Sequence, residues 1–311
     1  MSGPAPMTGP APERRTAPGE GASGSIFDLG YRHYEGARLG RPAAILALYV
    51  DGLRACFGLG RPGRAKVVPV GLLALALLPA VIAVAVEALA GGVIPNPIRY
   101  DNYFSTIVQF LVLFVAAQAP ELVGRDQRYQ VLPLYFSRAL DRLDYPAAKV
   151  GALVSALLVV SLLPQAAIFT GKVLGGRDPV AAFGANLGAV MPIAVSGLAA
   201  AVVMGALALA VAAFTPRRAY ATAAIFALFY VSLGVASVIA GAVRGGWADF
   251  APLLAPTATL EGLTAWLFGT TAHGDAFGTF ALPGPVYGLA ALVLAAVALG
   301  VLAWRYRRIP A

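Results

Sequence analysis

The chain has 311 residues, of which 59% are hydrophobic and 12% charged. Soluble domains carry about 25% charged residues, so this composition, with a mean hydropathy of +0.76, excludes an ordinary soluble domain and points to a polytopic membrane protein. The net charge of +8 does not indicate nucleic acid as a partner, because the basic residues flank apolar runs, as topogenic charge does.

Residues 1–24 are dominated by Pro, Gly, Ala and Ser. Such a segment cannot bury enough surface to offset its ordering entropy, so a disordered cytoplasmic tail is expected. It contains no apolar stretch of signal-peptide length. Residues 25–66 form a mixed cytoplasmic or interfacial segment. Within it, Ala43 to Phe57 has helical spacing, with Ile45, Leu48, Tyr49, Leu53, Cys56 and Phe57 on one face and Asp51 and Arg54 off it. About 15 residues are too few to span a bilayer, so an amphipathic interfacial helix leading into the first span is expected. Cys56 is the only cysteine, which leaves no intrachain disulfide.

Residues 67–308 read as six transmembrane helices, at about 67–89, 103–120, 150–170, 191–214, 221–243 and 286–303, giving an all-α fold. Gln109 and Gln118 are the polar members of the second span, and Pro164 interrupts the third. The charge-free run 180–216 is too long for one straight span, so a break is expected at Pro192, with 181–190 as a helical lead-in. Gly184 and Gly188 form a GxxxG pair there, a weak motif in a chain with 35 glycines. Residues 244–285 contain a helix-like stretch with Leu260, Leu263, Trp266 and Leu267, expected to rest at the outer interface with Trp247 and Trp266 at headgroup depth.

Between the second and third spans lies the longest charged segment flanked by apolar runs, Glu121 to Lys149. It reads as a cytoplasmic loop that touches another protein. Fourteen basic residues lie near the proposed inner ends, against Arg99, Lys172, Arg177 and Arg244 outside. An even number of spans with both termini cytoplasmic follows. The sequence contains no phosphate-binding GxxxxGK[ST] loop, no HExxH and no GxSxG with triad partners, so catalysis within the chain is not expected. No ionisable residue falls near the centre of a proposed span, which weighs against an ion-driven carrier.

Four stretches carry a family resemblance: FDLGYRHYEGARLGR (27–41), CFGLGRPGRAKVVP (56–69), TAWLFG (264–269) and above all APELVGRDQRYQVLPLYFSRALDRLDYPAAK (119–149). They resemble bacterial permease subunits of type-2 ABC transporters, most of all the branch named for multicopper enzyme maturation. Four Met, two His and one Cys give no soft-ligand cluster in support of copper. The resemblance implies six helices per half-transporter, an amphipathic helix before the first span, a coupling segment after the second, and a bacterial plasma-membrane location. It implies a separate ATPase subunit that binds ATP, a second permease copy or homologue, and no cofactor in this chain. Glu121, Arg125, Asp126, Arg128, Tyr135 and Arg138 are then the candidates for the ATPase contact, with 132–138 packed beneath the bundle. The polar residues available to a pathway are Gln109, Gln118, Gln165, Asn186, Ser196 and Ser232 among small and apolar side chains, which favours an apolar or amphipathic substrate. Two other classes fit the same composition: a non-transporting membrane scaffold, and a carrier or channel that needs no partner.

Overall fold

The computed structural model describes residues 36, 39–90, 96, 98–137, 140–176, 178–242, 246–270, 273–274 and 278–308. The chain divides into two units, 1–38 and 39–311, and every described helix belongs to the second. The expected disordered tail lies outside the described residues, as does Arg138.

Ten α-helices are described: α1 (Gly40–Cys56), α2 (Arg64–Ala90), α3 (Tyr103–Arg128), α4 (Leu132–Phe136), α5 (Asp144–Gly175), α6 (Pro179–Ala212), α7 (Arg218–Phe226), α8 (Ser232–Ala242), α9 (Pro256–Phe268) and α10 (Gly284–Arg307). A π-helical turn, Ala227–Val231, joins α7 and α8 into one rod, and a 3₁₀ segment, Ala248–Leu254, precedes α9. Two-residue strands β1 (His273–Gly274) and β2 (Gly278–Thr279) pair antiparallel. Six of these helical rods are long and apolar enough to cross a membrane: α2, α3, α5, α6, α7–α8 and α10. The protein is an all-α polytopic membrane protein.

Burial ranks the spans. In α3, 72% of the apolar window is buried, against 22% in α2, 17% in α7–α8 and 28% in α10. α3 therefore runs through the middle, packed by α2, α5, α6 and α7, while the outer rods turn apolar residues such as Leu78, Val238 and Leu292 outward. Lipid tails are as apolar as leucine, so outward apolar faces are no burden here, and close packing of small residues holds the rods together. The α5–α6 seam shows this with Gly197 against Leu162 and Gly205 against Leu157.

The break expected at Pro192 is absent. α6 is one helix of 34 residues that runs through it, and α5 likewise runs through Pro164. Proline removes one backbone hydrogen bond and crowds the carbonyl four residues back, yet spanning helices tolerate it where neighbouring groups re-satisfy the backbone. α6 starts sharply because Asp178 accepts hydrogen bonds from the Val180 and Ala181 amides and Pro179 needs no partner. Among the described residues a Cβ at Gly184 or Gly188 would meet nothing within 4 Å, so none of them packs closely on the GxxxG pair.

The helix-like stretch before the last span is present as α9, packed against α6 and α10. Leu260 and Leu263 are buried, while Trp247 and Trp266 keep exposed surface. Its apolar face continues right round through Ala258 and Ala265, so the sequence stripe understated how much it could bury. Gly269, at φ 65°, closes it with the Thr270 amide donating back to Ala265.

Close approach sets a stability test. A Cβ at Gly262 would lie 2.7 Å from the Tyr287 ring of α10. Gly262→Ala is expected to lower stability by about 1–3 kcal/mol through overpacking. Gly234→Ala, with nothing within 4 Å, is expected to be neutral or stabilising by up to about 1 kcal/mol. Thermal unfolding in detergent checks both.

Candidate functional site

Much of the segment read as a loop is helix. α3 continues to Arg128 through Pro120, so Glu121, Arg125, Asp126 and Arg128 occupy its last two turns. The helix outlasts its apolar stretch because the end is tied down on every side. Gln130 then adopts a left-handed conformation, φ 52°, and the Val131 amide donates to the Asp126 carbonyl. That reversal leads into the single turn of α4 and on to α5.

Glu121 sits where three guanidinium groups converge. Arg61, from the α1–α2 turn, reaches it at 2.5 Å, Arg218 at the start of α7 at 3.3 Å, and Arg125 one turn along α3 at 3.3 Å. On another side of α3, Asp126 receives the Lys149 ammonium at 3.0 Å and the Tyr145 hydroxyl at 2.7 Å. Gln127 donates to the Ala213 carbonyl at the end of α6 at 3.0 Å and to the Tyr306 hydroxyl of α10 at 3.5 Å. Three side chains of one helix end thus engage the α1–α2 turn, α5, the α6–α7 corner and α10.

The expected contact residues separate into two groups. Glu121 and Asp126 are consumed by internal ion pairs. Arg125 and Arg128 are exposed, and Arg125 keeps half its side chain in solvent even with its bond to Glu121. Tyr135, on α4, lies with its ring 5.8 Å from that of Tyr145, which in turn lies 5.3 Å from Tyr306. Phe136 meets Tyr145 edge-on. Burial and the nearby Asp126 carboxylate push the Tyr135 hydroxyl pKa up. α4 is therefore seated on an aromatic floor, while Tyr129 and Leu134 stay two-thirds exposed.

The amphipathic face of α1 turns toward protein. Leu48 and Cys56 are buried, and Ile45, Tyr49, Leu53 and Phe57 are half-buried against the core. Tyr49 shares a hydrogen bond with Ser155 of α5, and Phe57 meets the ring of Phe114 in α3. Gly52 lets α1 approach α5: a Cβ there would lie 2.9 Å from that of Ala152. Arg41 makes a bidentate bond to Asp144 at 2.8 Å and pairs with Asp141 at 2.6 Å, which raises its pKa further. Between α1, α3 and α5 lies a polar cavity of about 370 Å³, lined by Asp51, Arg54, Arg61, Glu121, Arg125 and Lys149 among others.

Sequence reasoning missed Lys149, Tyr145, Gln127 and Tyr306. Lys149 is almost wholly buried, yet in sequence it is one more charge at a span boundary. Its partner lies 23 positions away, beyond any helical periodicity. Among the described residues, no group of three or more His, Cys, Asp or Glu is placed to hold a metal ion. A scan against protein-family models finds no match, and a comparison with curated proteins finds none either.

Two outcomes test this geometry. Lys149→Met strands the Asp126 carboxylate and is expected to cost about 3–5 kcal/mol, whereas Asp126→Asn with Lys149→Met is expected to recover most of that loss. Urea unfolding in detergent measures it. Burial pushes the Cys56 thiol from 9.0 up to about 12. The folded state thus holds that proton more tightly than the unfolded one, so this contribution is complete below pH 9 and is lost as pH rises toward 12. Maleimide at about pH 8 is expected to label Cys56 only after unfolding, which mass spectrometry detects.

Proposed function

We propose that the chain is the membrane-spanning permease subunit of an ABC transporter, an exporter driven by a separate ATPase subunit. The resemblance of residues 119–149 to type-2 permeases supports this reading. The observation that carries it is α4: one helical turn between two long spans, seated through Tyr135 and Phe136 on Tyr145, which is backed by Tyr306, and bare at Leu134 and at Tyr129 just before it. A push on such a seat passes directly into α3, α5 and α10, because none of the three can shift without breaking the ties of Asp126 and Gln127.

In this reading the charged end faces the cytoplasm of a bacterial cell, both termini lie on that side, and Arg125 and Arg128 meet carboxylates of the ATPase. ATP binds that partner rather than this chain. The polar cavity beside Arg125 offers donors and acceptors to a side chain of the ATPase. A second copy or a homologue completes the pathway, and its small, apolar lining suits an apolar or amphipathic substrate.

Affinity purification of the tagged chain in mild detergent tests the proposal. An ATPase is expected to co-purify, and Arg125→Glu/Arg128→Glu is expected to reduce its recovery roughly tenfold or more. A well-folded chain that brings down no ATPase would leave a scaffold or an autonomous carrier as the better reading. Retention of the ATPase by the double variant would move the contact away from this helix end.

A further inference from the structure

Charge is unevenly distributed over the end of the bundle where α3 stops. On the α3–α5 side the carboxylates of Glu121, Asp126 and Asp144 each hold at least one cation. On the other side, the turn after α6 and the last turn of α10 carry Arg217, Arg305 and Arg308, while the neighbouring Arg218 is spent on Glu121. Among the described residues, no carboxylate lies within ion-pair distance of Arg217, Arg305 or Arg308. These two segments adjoin one another, since Gln127 bonds both Ala213 and Tyr306.

Each of these arginines lies over an aromatic ring instead. The Arg305 guanidinium is 5.8 Å from the centre of the Phe214 ring, so it joins α10 to the α6–α7 turn. Arg217 lies 5.7 Å from the ring of Tyr220, and Arg308 lies 4.2 Å from that of Trp304. All three rings are about half exposed or more, and the rods that carry two of them, α7–α8 and α10, bury little of their surface. A ring face fixes a guanidinium plane but satisfies none of its N–H donors. Among the described residues no hydrogen-bond acceptor is seen on these guanidinium groups, and aromatic side chains are characteristic of the headgroup layer of a bilayer.

We infer that the turn 213–220 and the end of α10 form a binding site for the headgroup of an anionic phospholipid. Three planar cations with unfilled donors match a phosphate diester, which accepts bidentate bonds. The exposed rings offer the adjoining acyl chains an apolar wall. A docking protein is the poorer fit, because the exposed rings belong to or adjoin rods that leave most of their apolar surface uncovered, as a lipid-facing helix does. The inference stands apart from the permease reading and holds for a scaffold equally.

Trp304 lies within the site and reports on it. With Trp247→Phe and Trp266→Phe, it is the only tryptophan of the chain. This variant is reconstituted in phosphatidylcholine bilayers containing a fixed fraction of brominated phosphatidylglycerol or of brominated phosphatidylcholine. The phosphatidylglycerol is expected to quench Trp304 several-fold more, with each arginine contributing about fivefold to headgroup occupancy. Arg217→Gln/Arg305→Gln/Arg308→Gln is expected to bring the two lipids level. Should that variant not insert, Arg305→Gln alone is expected to lower the preference about fivefold. Arg41→Gln, at a paired arginine, is expected to leave it unchanged. Equal quenching in the parent chain overturns the inference, as does a preference that survives the triple change. Relief of quenching by soluble glycerol phosphate also overturns it, in favour of a free phosphate as the ligand.

Discussion

A carboxylate among three guanidinium groups organises the charged end of this protein. Glu121 cannot leave Arg61, Arg125 and Arg218 without stranding charge at a half-buried position, and desolvated ion pairs are expensive to break once made. Because Arg61 belongs to the α1–α2 turn and Arg218 to α7, one side chain fixes three elements that adjacent sequence does not connect. Asp126 and Gln127 extend the arrangement to α5, α6 and α10. The spans themselves are joined mainly by non-directional packing of small and apolar groups, which sets distance better than register. The polar end supplies the direction: only one rotation of α3 brings residues 121, 126 and 127 to three different sets of partners.

This division between an apolar shaft and a polar clamp bears on how movement could pass through the molecule. α3 has the most buried apolar window of the six spans, so it cannot turn without disturbing the whole bundle. α4 adds a short seat whose underside is ring-on-ring and whose upper side is free. Aromatic floors of this kind are stiff, since each ring has few rotamers and a large contact area. α1 reinforces the seat from the side, through Tyr49 on Ser155 and Arg41 on Asp144. A displacement at α4 would therefore reach several spans at once rather than bend a loop. The neighbouring arginine-rich corner behaves differently: Arg217, Arg305 and Arg308 rest on exposed rings, and no carboxylate among the described residues pairs with them. The same end of the bundle thus carries a closed electrostatic network and an open one side by side.

Composition and periodicity alone determined a great deal. The low charge and the six apolar runs sufficed for an all-α membrane protein, because a chain inside a bilayer must satisfy its backbone internally and helices do so locally. The spacing of Ile45, Leu48, Tyr49, Leu53 and Phe57 was legible because helical periodicity is local. Tertiary structure decided the rest. Pro192 and Pro164 suggested breaks, yet both helices continue, because a proline removes one bond of the ladder and leaves the turns on either side intact. The stretch around Leu260 suggested a helix resting at the outer interface through one apolar stripe, whereas α9 buries most of its residues against α6 and α10, where Gly262 permits close approach to Tyr287. Most of all, 121–149 read as a charged loop in which Glu121, Arg125, Asp126 and Arg128 shared one expected role. Only the fold separates Glu121 and Asp126, which are spent on internal pairs, from Arg125 and Arg128, which remain exposed, and only the fold buries Lys149. Ion pairs between Arg61 and Glu121 or Asp126 and Lys149 span tens of residues, and no helical or strand period connects positions so far apart.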